Sequence, residues 1–128
     1  MDKKTLERGY RIRSKVLGRD YAARSLKSRS FSAPLHELVI QYGWGDVWSG
    51  KHLDLKTRSL LMIVMLTALN RPEQLAVHIG GALNNGATKG EILEALQHAA
   101  VVCGAPAALD AGRVADAFFA KLEKSKAK

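Results

Sequence analysis

Leu60-Leu61-Met62-Ile63-Val64-Met65-Leu66-Thr67-Ala68-Leu69 is apolar at nearly every position. A helix built from it has no polar face to turn toward water, so it has to lie at the centre of other helices or against a second subunit. The run is far short of the ~18 apolar residues that a membrane span needs. It therefore reads as the buried helix of a globular fold, with Asp54 placed to cap its start.

On the C-terminal side, Asn70-Arg71-Pro72-Glu73 reads as an N-cap, a first-turn proline and a reciprocal glutamate, opening a helix that stops at Asn84-Asn85-Gly86. Thr88-Lys89-Gly90-Glu91 is a second capping box. Its helix carries Ile92, Leu93, Leu96, Ala99, Ala100 and Cys103 inward, and Gly104-Ala105-Pro106 stops it. A last helix runs from Pro106 toward Lys121 with Leu109, Val114, Ala117 and Phe118 inward, and residues 121–128 form a frayed lysine-rich tail.

On the N-terminal side, residues 2–17 carry Leu6, Tyr10, Val16 and Leu17 among charges, with Gly18 to end the helix and a short helix or arm after it. Pro34 opens a segment over 35–42 that should end near Gly43 or Gly45. Tyr42 to Gly50 mixes Trp44 and Trp48 with three glycines, which predicts a bend whose indoles cover a neighbour. Strand signals are absent. The expectation is an all-α subunit of about six helices in one domain spanning 1–128.

Composition agrees with that reading: 128 residues, 47% apolar and 25% charged, suit a single core that buries about two-thirds of the unfolded surface. The lone Cys103 forbids an intrachain disulfide, and no Cys/His cluster has the spacing of a zinc site, so no metal is expected. Met1-Asp2-Lys3-Lys4 runs into charge without an apolar signal region, which points to the cytoplasm. The net charge of +8 sits at the ends: residues 1–30 hold ten Lys/Arg against three acids, and the stretch from Lys121 adds +3, whereas 31–120 is −2. A basic N-terminal arm of this kind can bind nucleic acid or steer small anions. Only Tyr10 and Tyr21 interleave it as stacking residues, and a solvated surface is the stronger reading. Ala99, Ala100, Gly104, Ala105, Ala107, Ala108, Ala111 and Gly112 let the last two helices approach closely, and a single layer of short helices around 60–69 would leave apolar surface open. A homo-oligomer is expected to cover it.

The chemistry-bearing residues concentrate on the helix after Pro72. Arg71, Gln74 and His78 are spaced i, i+3, i+7, which puts a cation, an amide and a proton-transfer group on one face. A lone histidine beside an apolar stripe is most often a packing residue; its company raises the functional reading. Arg71 near a helix start can join the positive end of the macrodipole in holding an anion. Arg58, at the start of the central helix, is either an exposed first-turn arginine or part of a carboxylate pocket. His98 and Cys103 lie five apart on different faces, which disfavours a Cys/His nucleophilic pair, and Cys103 reads as a small buried hydrophobe. His36 and His52 show no partner pattern. There is no phosphate loop, GxSxG or dinucleotide fingerprint.

Tyr42-Gly-Trp-Gly-Asp-Val-Trp48, Leu55-Lys-Thr-Arg-Ser-Leu-Leu61, Ala68-Leu-Asn-Arg71, Val77-His78, Asn84-Asn-Gly-Ala-Thr-Lys-Gly-Glu-Ile92 and Cys103-Gly-Ala-Pro-Ala-Ala108, in that order, resemble the carboxymuconolactone decarboxylase family. The similarity runs from about Leu6 to Phe119. It implies an all-helical subunit in a ring-like hexamer and a cofactor-free decarboxylase of the protocatechuate branch of beta-ketoadipate catabolism. The implied substrate is a dianionic lactone, 4-carboxymuconolactone, released as enol-lactone and carbon dioxide. Arg71 or Arg58 would then bind the retained acetate, His78 would donate a proton or a hydrogen bond, and Gln74, Trp44 and Trp48 would line the site. In the related alkyl hydroperoxide reductase D-type enzymes the active helix carries C-x-x-C-x-x-x-H with a glutamate one helix earlier. Here those positions hold Arg71, Gln74 and, for the glutamate, Ser59. Thiol redox chemistry of that kind is excluded, because both thiols are missing. Two other readings remain: a family member that binds a small carboxylated ligand without turnover, and a basic helical protein associated with nucleic acid.

Overall fold

All regular structure among the residues described, 2–26 and 30–127 of this computed structural model, is helical. Lys27 and Arg29 of the basic arm and Lys128 of the tail lie outside those residues. Seven α-helices and one π-helix take the place of the six expected helices: α1 (Lys3–Leu17), α2 (Arg19–Leu26), α3 (Ala33–Val39), a π-helix (Ile40–Val47), α4 (Leu55–Leu69), α5 (Pro72–Asn84), α6 (Lys89–Cys103) and α7 (Ala105–Lys126). They divide into two compact units, residues 1–58 and 59–128. No described helix is long and apolar enough to cross a membrane.

In the first unit α1 packs against the π-helix, and its buried residues are Thr5, Gly9, Arg13 and Val16; the expected Leu6 and Tyr10 are only half-buried. The cause is the closeness of the crossing. A Cβ on Gly9 would collide with the Ile40 carbonyl, and one on Gly45 with the Thr5 carbonyl, so only small residues fit between the two backbones. This also corrects the bend expected over 42–50. Gly43 and Gly45 do not end the helix; the chain runs on from α3 in π turns through Val47, and Gly45 serves the crossing instead. Arg8 fastens the crossing, its Nε donating to the Gly45 carbonyl at 2.8 Å. Arg13 is buried with its guanidinium 5.6 Å from the Tyr21 ring centre, and desolvation lowers its pKa from the ordinary value.

In the second unit Ile63, Leu66, Leu75, Ile79, Ile92 and Leu96 form the core with the small residues Ala82, Ala111 and Ala115. The apolar helix α4 buries Ser59, Ile63, Leu66 and Thr67, whereas Leu61, Met65 and Leu69 are exposed, so burial on every side is not reached within one chain. The capping box at Thr88 and Glu91 forms as expected. The cap expected at Asn70 does not. Asn70 has φ 56, donates its N–H to Thr67 O at 3.2 Å, and is followed by Arg71 N–H to Leu66 O at 3.0 Å. These are the paired bonds that close the C-terminus of α4, and Arg71 becomes the N-cap of α5. Gly86, at φ 93, closes α5 in the same way.

Two registers also shift. On α6, Leu93 is exposed and Cys103 is half-buried; on α7, Ala111 and Ala115 face the core while Leu109 and Ala117 are exposed. The smaller alanines let α7 approach its neighbours, and the bulkier Leu109 points outward. The tail is helical through Lys126, and Lys89 holds it, lying 4.7 Å from the Phe119 ring centre and 3.8 Å from Glu123.

Candidate active site

The candidate residues fall into two groups, one in each unit, and each group has its own surroundings. In the second unit, Arg71 stands at the corner between α4 and α5. The backbone on both sides of it is constrained: Asn70 is left-handed, and Pro72 begins α5. The Arg71 side chain is exposed and makes no hydrogen bond or ion pair with other described residues. It lines a hollow of about 20 Å³ with Leu66, Thr67, Asn70, Leu75, Asp110 and Val114 among its neighbours. That volume accommodates about one water, not a ligand. On the α7 side, Asp110 Oδ1 accepts from Arg113 Nη1 at 2.7 Å in an exposed ion pair.

Gln74 follows on the same face and is exposed. His78, one turn further, is 4% exposed and flanked along α5 by the buried Leu75, Ile79 and Ala82. The i, i+3, i+7 stripe thus runs from an open cation to an enclosed imidazole, about 10 Å along the helix axis. His78 is not among the residues lining the hollow.

In the first unit, Trp44 and Trp48 are 7% and 8% exposed and stack on each other, ring centres 4.4 Å apart at 22°. Arg58 is half-buried. Its Nε donates to the Leu53 carbonyl at 3.2 Å and its guanidinium lies against Gly50, so it fastens the turn between the π-helix and α4. Of the two arginines, Arg71 is therefore the uncommitted one. His98 is exposed on α6. Asp110 lines the hollow with no local signal in the sequence, because only the packing of α7 brings it there; Asn70 lines it too, although its place in the sequence reads as a cap.

Residues 33–117 match the sequence profile described as the carboxymuconolactone decarboxylase family. The chain is 38% identical over 112 residues to a nitrosuccinic acid decarboxylase of Metarhizium robertsii, covering 87% of this chain and 78% of that protein. It is 34% identical over 122 residues to a 4-carboxymuconolactone decarboxylase of Acinetobacter baylyi, covering 94% of this chain and 91% of that protein. The matched span and the near full-length similarity agree with the helical architecture: the chain belongs to the carboxymuconolactone decarboxylase family.

Proposed function

We propose that this chain decarboxylates a small dianionic acid built on a succinate skeleton, without a cofactor, with Arg71 gripping the carboxylate that is retained. The two related decarboxylases carry the reading. Nitrosuccinic acid is a succinate with a nitro group on the carbon that bears one carboxyl. In 4-carboxymuconolactone the carbon that bears one carboxyl and the acetate arm is also a ring carbon of an unsaturated lactone. In both, breaking the bond to the carboxyl releases carbon dioxide and leaves an electron pair next to a sink within the substrate itself. The pair moves onto the nitro group as a nitronate, or through the ring double bond onto the lactone carbonyl as a dienolate. A proton delivered to carbon then completes the reaction. For the lactone it goes to the carbon beside the carbonyl, yielding the enol-lactone. Because the sink belongs to the substrate, neither a metal nor a Schiff base is needed for the electrons.

The protein's part is to hold the dianion, stabilise the developing oxyanion and supply the proton. A guanidinium binds a carboxylate through two parallel hydrogen bonds, and Arg71 is exposed and free of competing partners. His78 is the proton donor or the hydrogen-bond partner of the oxyanion, contributing about 10² to 10⁴ in rate as an acid or about 3 to 4 kcal/mol as a donor. Gln74 lies between the two along the helix. The reading extends to a cytoplasmic homo-oligomer and, if the lactone is the substrate, to the protocatechuate branch of beta-ketoadipate catabolism. Oligomerisation is supported by Val101, Val102 and Leu109, which stand 80%, 84% and 60% exposed.

The test is direct. Purified protein is mixed with 4-carboxymuconolactone and, separately, with nitrosuccinate, and carbon dioxide release is followed. Turnover of either supports a decarboxylase and assigns the sink it accepts, while no release from both overturns the reading.

A further inference from the structure

We propose that Asn70 is a positioning residue, whose left-handed backbone fixes the direction in which the Arg71 side chain leaves the α4–α5 corner. This rests on the reading of Arg71 given above. Every backbone degree of freedom at the corner is accounted for. Asn70 holds φ 56, a conformation that side chains other than Asn, Asp and Gly rarely adopt. The Arg71 N–H is bonded to Leu66 O at 3.0 Å, and the Arg71 carbonyl accepts from Leu75 N–H at 2.9 Å. Pro72 follows, and a residue before proline is kept out of the helical region; Arg71 has φ −118 and ψ 76. With both its backbone groups bonded and its neighbours fixed, Arg71 keeps only its side-chain torsions. The direction of its Cα–Cβ bond is then a property of the corner, and a grip formed there loses less freedom on binding than one on a mobile loop.

The Arg71 side chain that leaves this corner is exposed and makes no hydrogen bond or ion pair with other described residues, so an incoming carboxylate meets an unengaged guanidinium. A residue at position 70 that abandons the left-handed region rotates the peptide before Arg71 and moves the guanidinium away from this arrangement. Glycine reaches the left-handed region freely and retains it.

The same unit contains a control. Gly86 closes the other end of α5 with the same pair of bonds, Gly86 N–H to Leu83 O at 3.1 Å and Ala87 N–H to Ala82 O at 2.9 Å, at φ 93. An alanine at either position imposes the same kind of backbone strain, but only one of the two adjoins Arg71. Steady-state kinetics on a substrate shown to be turned over, at a temperature where every variant is folded by circular dichroism, separate the two effects. Asn70→Ala is expected to raise KM about tenfold with kcat within about twofold, since a small misplacement of a positioning group is felt in binding. Asn70→Gly should return KM to near the wild-type value, and Gly86→Ala should leave KM unchanged while lowering the urea midpoint. A wild-type KM for Asn70→Ala, or a rise shared by Gly86→Ala, overturns the proposal. Arg71→Ala distinguishes its failure from that of the underlying reading: an unchanged KM there removes the grip itself, whereas a raised KM beside a normal Asn70→Ala removes only the positioning.

Discussion

Asn85, the residue that closes α5, donates its side-chain amide to Ser59 Oγ at 2.9 Å, and Ser59 is fully buried. The bond ties the end of α5 to α4 through a neutral hydroxyl–amide pair. Ser59→Ala leaves the amide without this acceptor and is expected to cost about 1 to 3 kcal/mol in urea unfolding. A midpoint equal to wild type would mean that water replaces the hydroxyl.

The crossing of α1 and the π-helix leaves no room for a side chain at position 9, where an added Cβ meets a carbonyl oxygen of the backbone. Gly9→Ala should therefore destabilise by about 3 kcal/mol, at the upper end of overpacking costs, because neither backbone can rotate away. Gly43→Ala is the comparison. Its Cβ would approach nothing closer than 3.9 Å, and its loss should be much smaller.

His78 is nearly enclosed, and its role is decided by separating rate from stability. If it donates to the reacting substrate, His78→Gln lowers kcat by at least about 10² with the helical signal intact. A variant that keeps kcat and loses only stability assigns the imidazole to packing.

Acid should loosen the start of α4. The Thr57 hydroxyl, and then the Thr57 backbone N–H at 2.8 Å, hydrogen-bond to the Asp54 carboxylate and hold its pKa below the ordinary 3.8. A carboxyl depressed in the folded state stabilises fully above its unfolded value, and that contribution disappears as pH falls from 3.8 through the lower folded value. Thermal melts of wild type and Asp54→Ala should accordingly differ at pH 6 and converge toward pH 3. A constant difference would mean that the cap does not depend on charge.

Val101 and Val102, at the end of α6, are exposed apolar side chains that the proposed homo-oligomer would cover. Val102→Glu places a charge there and should shift light-scattering mass toward the monomer, with little change in circular dichroism. A wild-type protein that is already monomeric at micromolar concentration removes the homo-oligomer from the reading.

Much of the helical plan was legible from local chemistry. Thr88 and Glu91 cap α6, Gly18 and Gly104 end α1 and α6 at positive φ, and the apolar run Leu60–Leu69 lies in α4, because caps, stops and continuous apolarity act within a turn or two of chain. Gln74 and His78 are set four residues apart within α5 by helical spacing, whereas Arg71 caps that helix from outside it. What could not be read was anything set by contacts distant in sequence. Gly45 looked like a helix breaker until Thr5 was seen pressed against it, and Asn70 looked like a cap until the end of α4 claimed it. Asp110 reaches the Arg71 hollow only because α7 folds back on this corner. Which arginine is free was likewise decided in three dimensions: Arg58 and Arg71 are alike as residues, but the Leu53 carbonyl occupies one guanidinium and no described residue occupies the other.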